Sequence, residues 1–195
     1  MSLPDREKTD VARRLRLAVG CGLIASLALV SACTVRPLYS NAPLVAGSQV
    51  GARAELASIA IKPVKTRYAQ QVRNNLIFGF TGGGNQTSTP VYSLDLGVSE
   101  LVDTGTLVQV STDENEPTSG TVTLTSTYVL TDAKTGATIS SGKRSITSSF
   151  DKPRQEYASY RAQLDAENRA ARELAELLNL AVGQDLVKYG KKGAS

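Results

Sequence analysis

The sequence predicts an α+β fold, a two-layer sandwich in which a mostly antiparallel sheet of four to five strands carries two helices on one face. Hydrophobic residues alternate with polar ones through much of the segment 92–150, as they do in half-buried strands. Two segments beginning near Thr66 and Arg154 instead repeat hydrophobic residues every three or four positions, as amphipathic helices do. Because wide apolar stripes of this kind need a partner layer, we expect both helices to lie on the sheet.

The first 32 residues have the organisation of a secretory signal peptide. An arginine-containing segment precedes an apolar run over residues 17–30, and small residues follow up to Cys33. The apolar run is shorter than the about 20 residues that a membrane-spanning helix needs. We expect residues 1–32 to be removed; an ordinary signal peptide with a chance cysteine and a plain membrane anchor are the alternatives.

The residues before the cysteine indicate lipidation. Val30, Ser31 and Ala32 directly precede Cys33, and this order resembles the bacterial lipobox, in which the cysteine is acylated and becomes the first residue of the mature protein. The resemblance implies an S-diacylglycerol and an N-acyl chain such as palmitate on Cys33, with no other cofactor. Several acyl chains hold a protein on a membrane firmly, whereas one chain holds it weakly.

Composition argues against catalysis in the mature chain of 163 residues, which is long enough for one domain. It contains no histidine, and its one cysteine is the lipidated Cys33, so the usual base near neutral pH and the thiolate metal ligands are missing. Its 17 basic and 15 acidic residues nearly balance, which gives little support to nucleic-acid binding. We expect a binding protein and not an enzyme.

The domain is preceded by a linker. Residues 33–55 contain scattered proline and glycine with little periodicity, so we interpret them as an extended, lipidated tether. A short first strand follows around Ile59 and Ile61 and ends at Pro63. The domain itself is predicted to span residues 56–188, followed by a flexible tail over residues 189–195.

The first helix is predicted from Thr66 to the glycine run at residues 82–84. No Gly-Lys-Ser/Thr follows these glycines, so they indicate a helix end and not a phosphate-binding loop. The apolar face of this helix consists of Ala69, Val72, Leu76 and Phe80.

Four strands are predicted next, arranged as two hairpins. A strand over residues 92–99 turns at residues 103–105 and returns over residues 107–112. The acidic segment 113–117 is interpreted as a solvated turn, with a Ca²⁺ site as the alternative, although the glycine and bidentate glutamate of an EF-hand loop are missing.

The second hairpin is predicted to have a hydroxyl-rich outer face. Alternating threonines between residues 121 and 131 are expected to form that face. The chain then turns at residues 132–136 and runs back over residues 137–150, with Gly142 as a bulge.

The last helix is predicted to run from Arg154 to Leu186. We expect its apolar stripe to contain Tyr157, Tyr160, Leu164, Ala170, Ala171, Leu174, Leu177, Leu178, Ala181 and Val182. We expect its solvent face to contain Glu156, Arg161, Asp165, Glu167, Arg169, Arg172, Glu173 and Glu176.

An ordered set of short motifs resembles one family. The motifs are Arg36-Pro37-Leu38-Tyr39, Ile59-Ala60-Ile61, the run from Arg67 to Leu76, Tyr92-Ser93-Leu94, Tyr128-Val129-Leu130 before Asp132, Thr135-Gly136, Phe150 and Tyr157-Ala158. Together they resemble the lipopolysaccharide-assembly lipoprotein family LptE in its alphaproteobacterial form. Thr34-Val35 departs from the pattern, because relatives more often carry Gly-Phe there.

This resemblance implies a non-catalytic partner of a large outer-membrane β-barrel of the LptD type. The lipoprotein would plug that lipopolysaccharide translocon, help to assemble it, and assist transport and insertion of lipopolysaccharide at the cell surface. Thr34 after the lipidated cysteine agrees with anchoring to the periplasmic side of the outer membrane, since aspartate there is the usual inner-membrane retention signal. The alternatives are an auxiliary lipoprotein of an ABC-type lipid transport system and a lipoprotein that binds peptidoglycan.

Three cations are the candidate lipopolysaccharide contacts. Lys134, Lys143 and Arg144 belong to the second predicted hairpin, and cationic side chains are suited to the phosphates of lipid A. Ordinary solvated surface charge is the alternative interpretation for each of them. No metal site and no catalytic residue are predicted.

Overall fold

A computed structural model describes residues 52–107 and 117–193 of the chain. In chain order the elements are α1 (Ala52–Ala57), β1 (Ile59–Ile61), α2 (Arg67–Thr81), β2 (Tyr92–Leu107), β3 (Pro117–Asp132), β4 (Thr138–Asp151) and α3 (Glu156–Gly193). Cys33 and the acidic segment 113–116 lie outside the described residues, so their predicted roles remain predictions.

The predicted α+β sandwich is confirmed. The four strands lie in the order β1-β2-β3-β4, with β1 parallel to β2 and the other two pairings antiparallel. Both α2 and α3 pack on one face of this sheet and on each other. The short helix α1 was not predicted, and it covers residues 52–55, where we expected extended chain. Its alanine-rich sequence favours helix, and Leu56 anchors it because this side chain is buried in the core.

Alternation along the strands separates a core face from an outer face. The even-numbered residues of β3, including Val122, Leu124, Tyr128 and Leu130, are buried beneath the helices. The odd-numbered threonines between them are mostly half-buried on the opposite side, as predicted. The hydroxyl-rich outer face is therefore left uncovered by the described helices.

The first predicted hairpin turn is wrong. Residues 103–105 do not reverse the chain; β2 continues to Leu107, which pairs with Pro117. The register shifts between Asp103 and Thr106, so the Asp-Thr-Gly sequence produces an irregularity within a strand of 16 residues. Of the predicted strand over residues 107–112, only Leu107 is described, as the last residue of β2; residues 108–112 lie outside the described residues.

The helix α2 has the predicted ends and the predicted apolar face. The hydroxyl of Thr66 accepts a hydrogen bond from the amide of Ala69 and caps the helix. Gly82 ends it with a left-handed backbone conformation (φ = 69°). Its buried residues are Ala69, Val72, Leu76 and Phe80.

The last helix differs from the prediction in extent and in several side chains. One of them is Leu177, which was predicted to lie on the apolar face and is exposed. The helix continues to Gly193, where we expected a flexible tail, and Leu186 remains fully buried in its last third. Tyr157 and Tyr160, predicted to be apolar-face residues, are 76% and 58% exposed. Periodicity identifies the face of a helix but not how far the covering layer extends. Glu167, predicted to face solvent, is buried because it pairs with Arg67 of α2.

Gly142 is not a bulge. It pairs in regular register with Tyr128 of β3, and a Cβ atom built on it would lie 2.7 Å from the Tyr128 hydroxyl oxygen and 2.8 Å from two ring carbons. The glycine therefore provides the space in which the ring of its cross-strand neighbour lies. The register of this strand pair shifts instead between Leu130 and Thr131, next to the turn.

Replacing Gly142 should therefore destabilise the domain. We expect Gly142→Ala to lower the free energy of unfolding by about 1–2 kcal/mol, because the new methyl group forces the Tyr128 ring away from its packed position. Ser141→Ala, one residue earlier and exposed, is the control and should change stability by less than about 0.5 kcal/mol. Urea unfolding of both variants checks this; equal stabilities would show that the ring adapts without cost.

None of the helices in residues 52–107 and 117–193 combines the length and apolar character that crossing a membrane requires.

Candidate binding surface

The outer face of the sheet carries an array of hydroxyl groups along β3 and β4. The hydroxyls of Thr123 and Thr147 lie 2.9 Å apart across β3 and β4, and those of Thr125 and Ser145 are separated by the same distance. On β2, the Ser99 hydroxyl donates a long hydrogen bond (3.5 Å) to the carbonyl of Thr125. Side chains held to one another in this way present a pre-ordered polar surface, which suits a partner with hydrogen-bonding groups of its own.

The three predicted cations are not brought together. Lys134 lies in the turn between β3 and β4, where the amides of Thr135 and Lys134 donate to the Asp132 carboxylate at 2.8 and 2.9 Å and lower its pKa. Lys143 is five residues along β4 from the first residue of that strand, which places it about 17 Å from the turn at 3.3 Å per residue.

Lys143 and Arg144 occupy opposite faces of the sheet. Lys143 pairs with Thr127 on the hydroxyl-rich outer face, whereas Arg144 pairs with Ser126, whose side chain is buried on the helix side. Successive strand residues necessarily point in opposite directions, and both of these side chains are exposed. The pair therefore flanks the edge of the sheet and does not form one patch on either face.

A polar cluster between the layers was not predicted from the sequence. Arg67, at the start of α2, forms a salt bridge with the buried Glu167 of α3 and donates to the side-chain oxygen of Asn168 at 3.0 Å. Glu100 of β2 faces the same cluster, and its Oε1 atom is buried without a hydrogen-bond partner among the described residues. Burial raises the pKa of Glu100, the charge of Glu167 raises it further, and Arg67 opposes both.

A second polar contact joins the sheet to α3. The hydroxyl of the buried Tyr128 donates to the carboxylate of Asp185 at 2.8 Å. Burial, with this hydrogen bond, raises the pKa of Tyr128 to about 12, so the phenol stays protonated and continues to donate at neutral pH. Both polar contacts position α3 on the sheet, and neither opens onto the outer face.

No group of three or more potential metal ligands converges within residues 52–107 and 117–193. The largest of the cavities described there has a volume of about 410 Å³ and lies at the start of α3. Its lining includes Lys152, Arg154 and Tyr160, which can contact an anion, together with Glu156 and Ser159.

These features define an α+β sandwich domain whose polar sheet face and open sheet edge are available for contacts. A family model for lipopolysaccharide assembly, LptE, matches residues 56–182, which run from α1 into the second half of α3. The chain belongs to the LptE family and is a lipopolysaccharide-assembly lipoprotein.

The chain resembles solved lipoprotein structures to different degrees. A lipoprotein from Caulobacter crescentus CB15 is 26% identical with a TM-score of 0.57, and the match covers 69% of this chain and 94% of that one. A minor lipoprotein from Acinetobacter baumannii is 15% identical with a TM-score of 0.47, covering 64% and 87% of the two chains. The rare lipoprotein B from Shewanella oneidensis is 14% identical with a TM-score of 0.45, covering 64% and 92%. Comparison with curated protein sequences found no match.

Proposed function

We propose that this protein is a non-catalytic outer-membrane lipoprotein that plugs and helps to assemble the β-barrel translocon for lipopolysaccharide, a barrel of the LptD type. The observation that carries the proposal is the family match over residues 56–182, because it spans both layers of the sandwich, including all four strands. Lipid on Cys33 would hold the domain at the periplasmic side of the outer membrane, and several acyl chains would make that anchoring stable.

The sheet surface supports a role inside a barrel. The interior wall of a large outer-membrane barrel is polar, and the outer face of this domain exposes hydroxyl pairs between β3 and β4, beside the exposed side chains of Leu101 and Val129. Two such surfaces can exchange hydrogen bonds without either side burying a large apolar area.

Direct contact with lipopolysaccharide is part of the proposal. Lys134, Lys143 and Arg144 remain the candidate contacts for its phosphates, with Lys143 and Arg144 approaching from the two sides of the sheet edge. The alternative function, an auxiliary lipoprotein of an ABC-type lipid transport system, would need the same anchor but a different partner.

Partner recovery tests the proposal. The full-length chain with a C-terminal tag is isolated from membranes in mild detergent, and its partners are identified by mass spectrometry. We expect one large β-barrel protein in about equal amount, and we expect Cys33→Ala to reduce its recovery because the unlipidated chain is not anchored beside the barrel. Recovery of a permease and an ATPase without a barrel would overturn the proposal in favour of the transport system.

A further inference from the structure

The free edge of the sheet is a long and regular strand. Within the described residues β4 is the last strand of the sheet, and it pairs only with β3. It has 14 residues and no proline, and its register against β3 is regular from Ser140 to Asp151. Exposed edges of this kind are able to pair with a further strand unless bulges, prolines or charges prevent it.

Three contacts show which backbone groups of β4 point outward. In antiparallel pairs, residues alternate between directing both backbone groups at the neighbouring strand and directing both away from it. Arg169 of α3 donates to the carbonyl of Ser149 at 2.7 Å, so that carbonyl is available on the side away from β3. The close hydroxyl pairs at Ser145 and Thr147 are typical of positions that do not exchange backbone hydrogen bonds with the neighbour.

The outward-facing backbone groups therefore belong to the odd-numbered residues. Across the sheet, the hydroxyl of Ser145 reaches the carbonyl of Leu124, which indicates that the even-numbered residues of β3 direct their carbonyls towards β4. The free edge thus offers the amides of Ser141, Lys143, Ser145 and Thr147 and most of their carbonyls. The Lys143 carbonyl already accepts a hydrogen bond from the Arg144 side chain at 2.8 Å. At Ser149 the side chain of Arg169 already occupies the carbonyl and limits the open segment at that end.

The charge of the open segment indicates which kind of strand can pair with it. Between Thr138 and Phe150 the strand carries two cations, Lys143 and Arg144, and no carboxylate. Two copies of β4 paired in antiparallel fashion about this segment would bring their basic pairs close together, which is unfavourable. An extended segment with carboxylates opposite the basic pair and uncharged residues opposite Ser145 and Thr147 is complementary in charge.

We propose that β4 accepts an additional strand, donated by an acidic extended segment of the partner barrel, along residues 141–147. Main-chain hydrogen bonds supply the affinity and the basic pair sets the register, as in other cases of strand addition. The identity of the donor rests on the proposed function, whereas the open edge and its polarity come from the described geometry.

A proline scan of the free edge tests this proposal. Thr147→Pro and Ser145→Pro each delete an outward-facing amide and leave the hydrogen bonds between β3 and β4 in place, because proline is tolerated in an edge strand when its missing N–H faces solvent. Thr147→Ala is the matched control, since it removes the hydroxyl but keeps the amide. The readouts are thermal unfolding of the tagged full-length chain and the amount of barrel that co-purifies with it.

We expect both proline variants to fold and to recover at least tenfold less barrel, and we expect Thr147→Ala to recover several times more barrel than Thr147→Pro because it keeps the edge amide. Equal recovery with the proline variants and the unchanged protein would overturn strand addition and leave the proposed function standing. Recovery with Thr147→Ala as low as with Thr147→Pro would assign the contact to the hydroxyl face instead, and unfolding of both proline variants would show that these amides point inward.

Two further results would overturn the assignment of the donor. Absence of any barrel from the unchanged protein would overturn the proposed function together with the donor. A protein that is dimeric alone and becomes monomeric with Thr147→Pro would show that a second copy, and not the barrel, occupies the edge.

Discussion

Replacing Arg67 with methionine is expected to lower the free energy of unfolding by about 3 kcal/mol. The substitution removes the partner of Glu167, whose side chain is only 8% exposed, and leaves a negative charge between α2, α3 and β2. Removing one member of a buried ion pair costs about 3–5 kcal/mol. We expect the lower end of that range because the Arg67 side chain is 47% exposed and water screens part of the interaction. Urea unfolding of the purified domain measures the change.

A second substitution and an exposed pair serve as controls for this prediction. Adding Glu167→Gln to Arg67→Met should restore more than half of the lost stability, because the uncompensated charge is then gone. Lys62→Met breaks the exposed pair with Asp95 and should cost less than about 1 kcal/mol, as surface salt bridges do. If Arg67→Met were no more damaging than Lys62→Met, the Arg67–Glu167 pair would not be a determinant of stability.

Glu100→Gln is expected to stabilise the domain at neutral pH by about 1 kcal/mol, the lower end of the range for a buried polar group, because part of the Glu100 side chain remains in contact with water. At that pH the Glu100 carboxylate faces Glu167, and its Oε1 atom is buried without a hydrogen-bond partner in the described part of the chain. A neutral amide of the same shape removes the repulsion and the cost of burying a charge.

The pH dependence of the Glu100 effect has a definite sign. Burial first, and then Glu167, raise the pKa of Glu100 above its usual 4.5, so the folded state binds this proton more tightly than the unfolded state does. The destabilisation by Glu100 is therefore complete above the folded-state pKa and disappears as the pH falls towards 4.5. Urea unfolding at a series of pH values should show the unchanged protein approaching Glu100→Gln as the pH falls; a constant difference would contradict the assignment.

Most of the predicted elements are correct because their signals are local. The four buried positions of α2, its Thr66 cap and its Gly82 end all follow from spacing and from the conformational preferences of individual residues. The alternation in β3 likewise separates a core face from a threonine-rich face. Family membership also follows from short ordered motifs, since the LptE match covers the segment that contains most of them.

The errors arise where a residue responds to a partner distant in the chain. Residues 103–105 have the composition of a turn, but continued pairing of β2 with β3 on both sides keeps them within a strand. Gly142 suggests a bulge, and only the cross-strand ring of Tyr128 shows why a glycine is required there. Glu167 was predicted to face solvent because it is charged. It is buried because Arg67, 100 positions earlier in the chain, lies beside it and pairs with it.

Local patterns in the sequence were sufficient to predict α2 with its buried face, the two faces of β3 and the family to which the chain belongs. Periodicity, capping and short motifs are properties of residues close together in the sequence, so they can be recognised without knowing the tertiary contacts. Three arrangements follow from the tertiary structure alone. Lys143 and Arg144 flank a sheet edge, and the odd-numbered amides of β4 face outward. Arg67, Glu100 and Glu167 meet between the layers. Those arrangements depend on strand register and helix packing, which are set by contacts between segments far apart in the sequence.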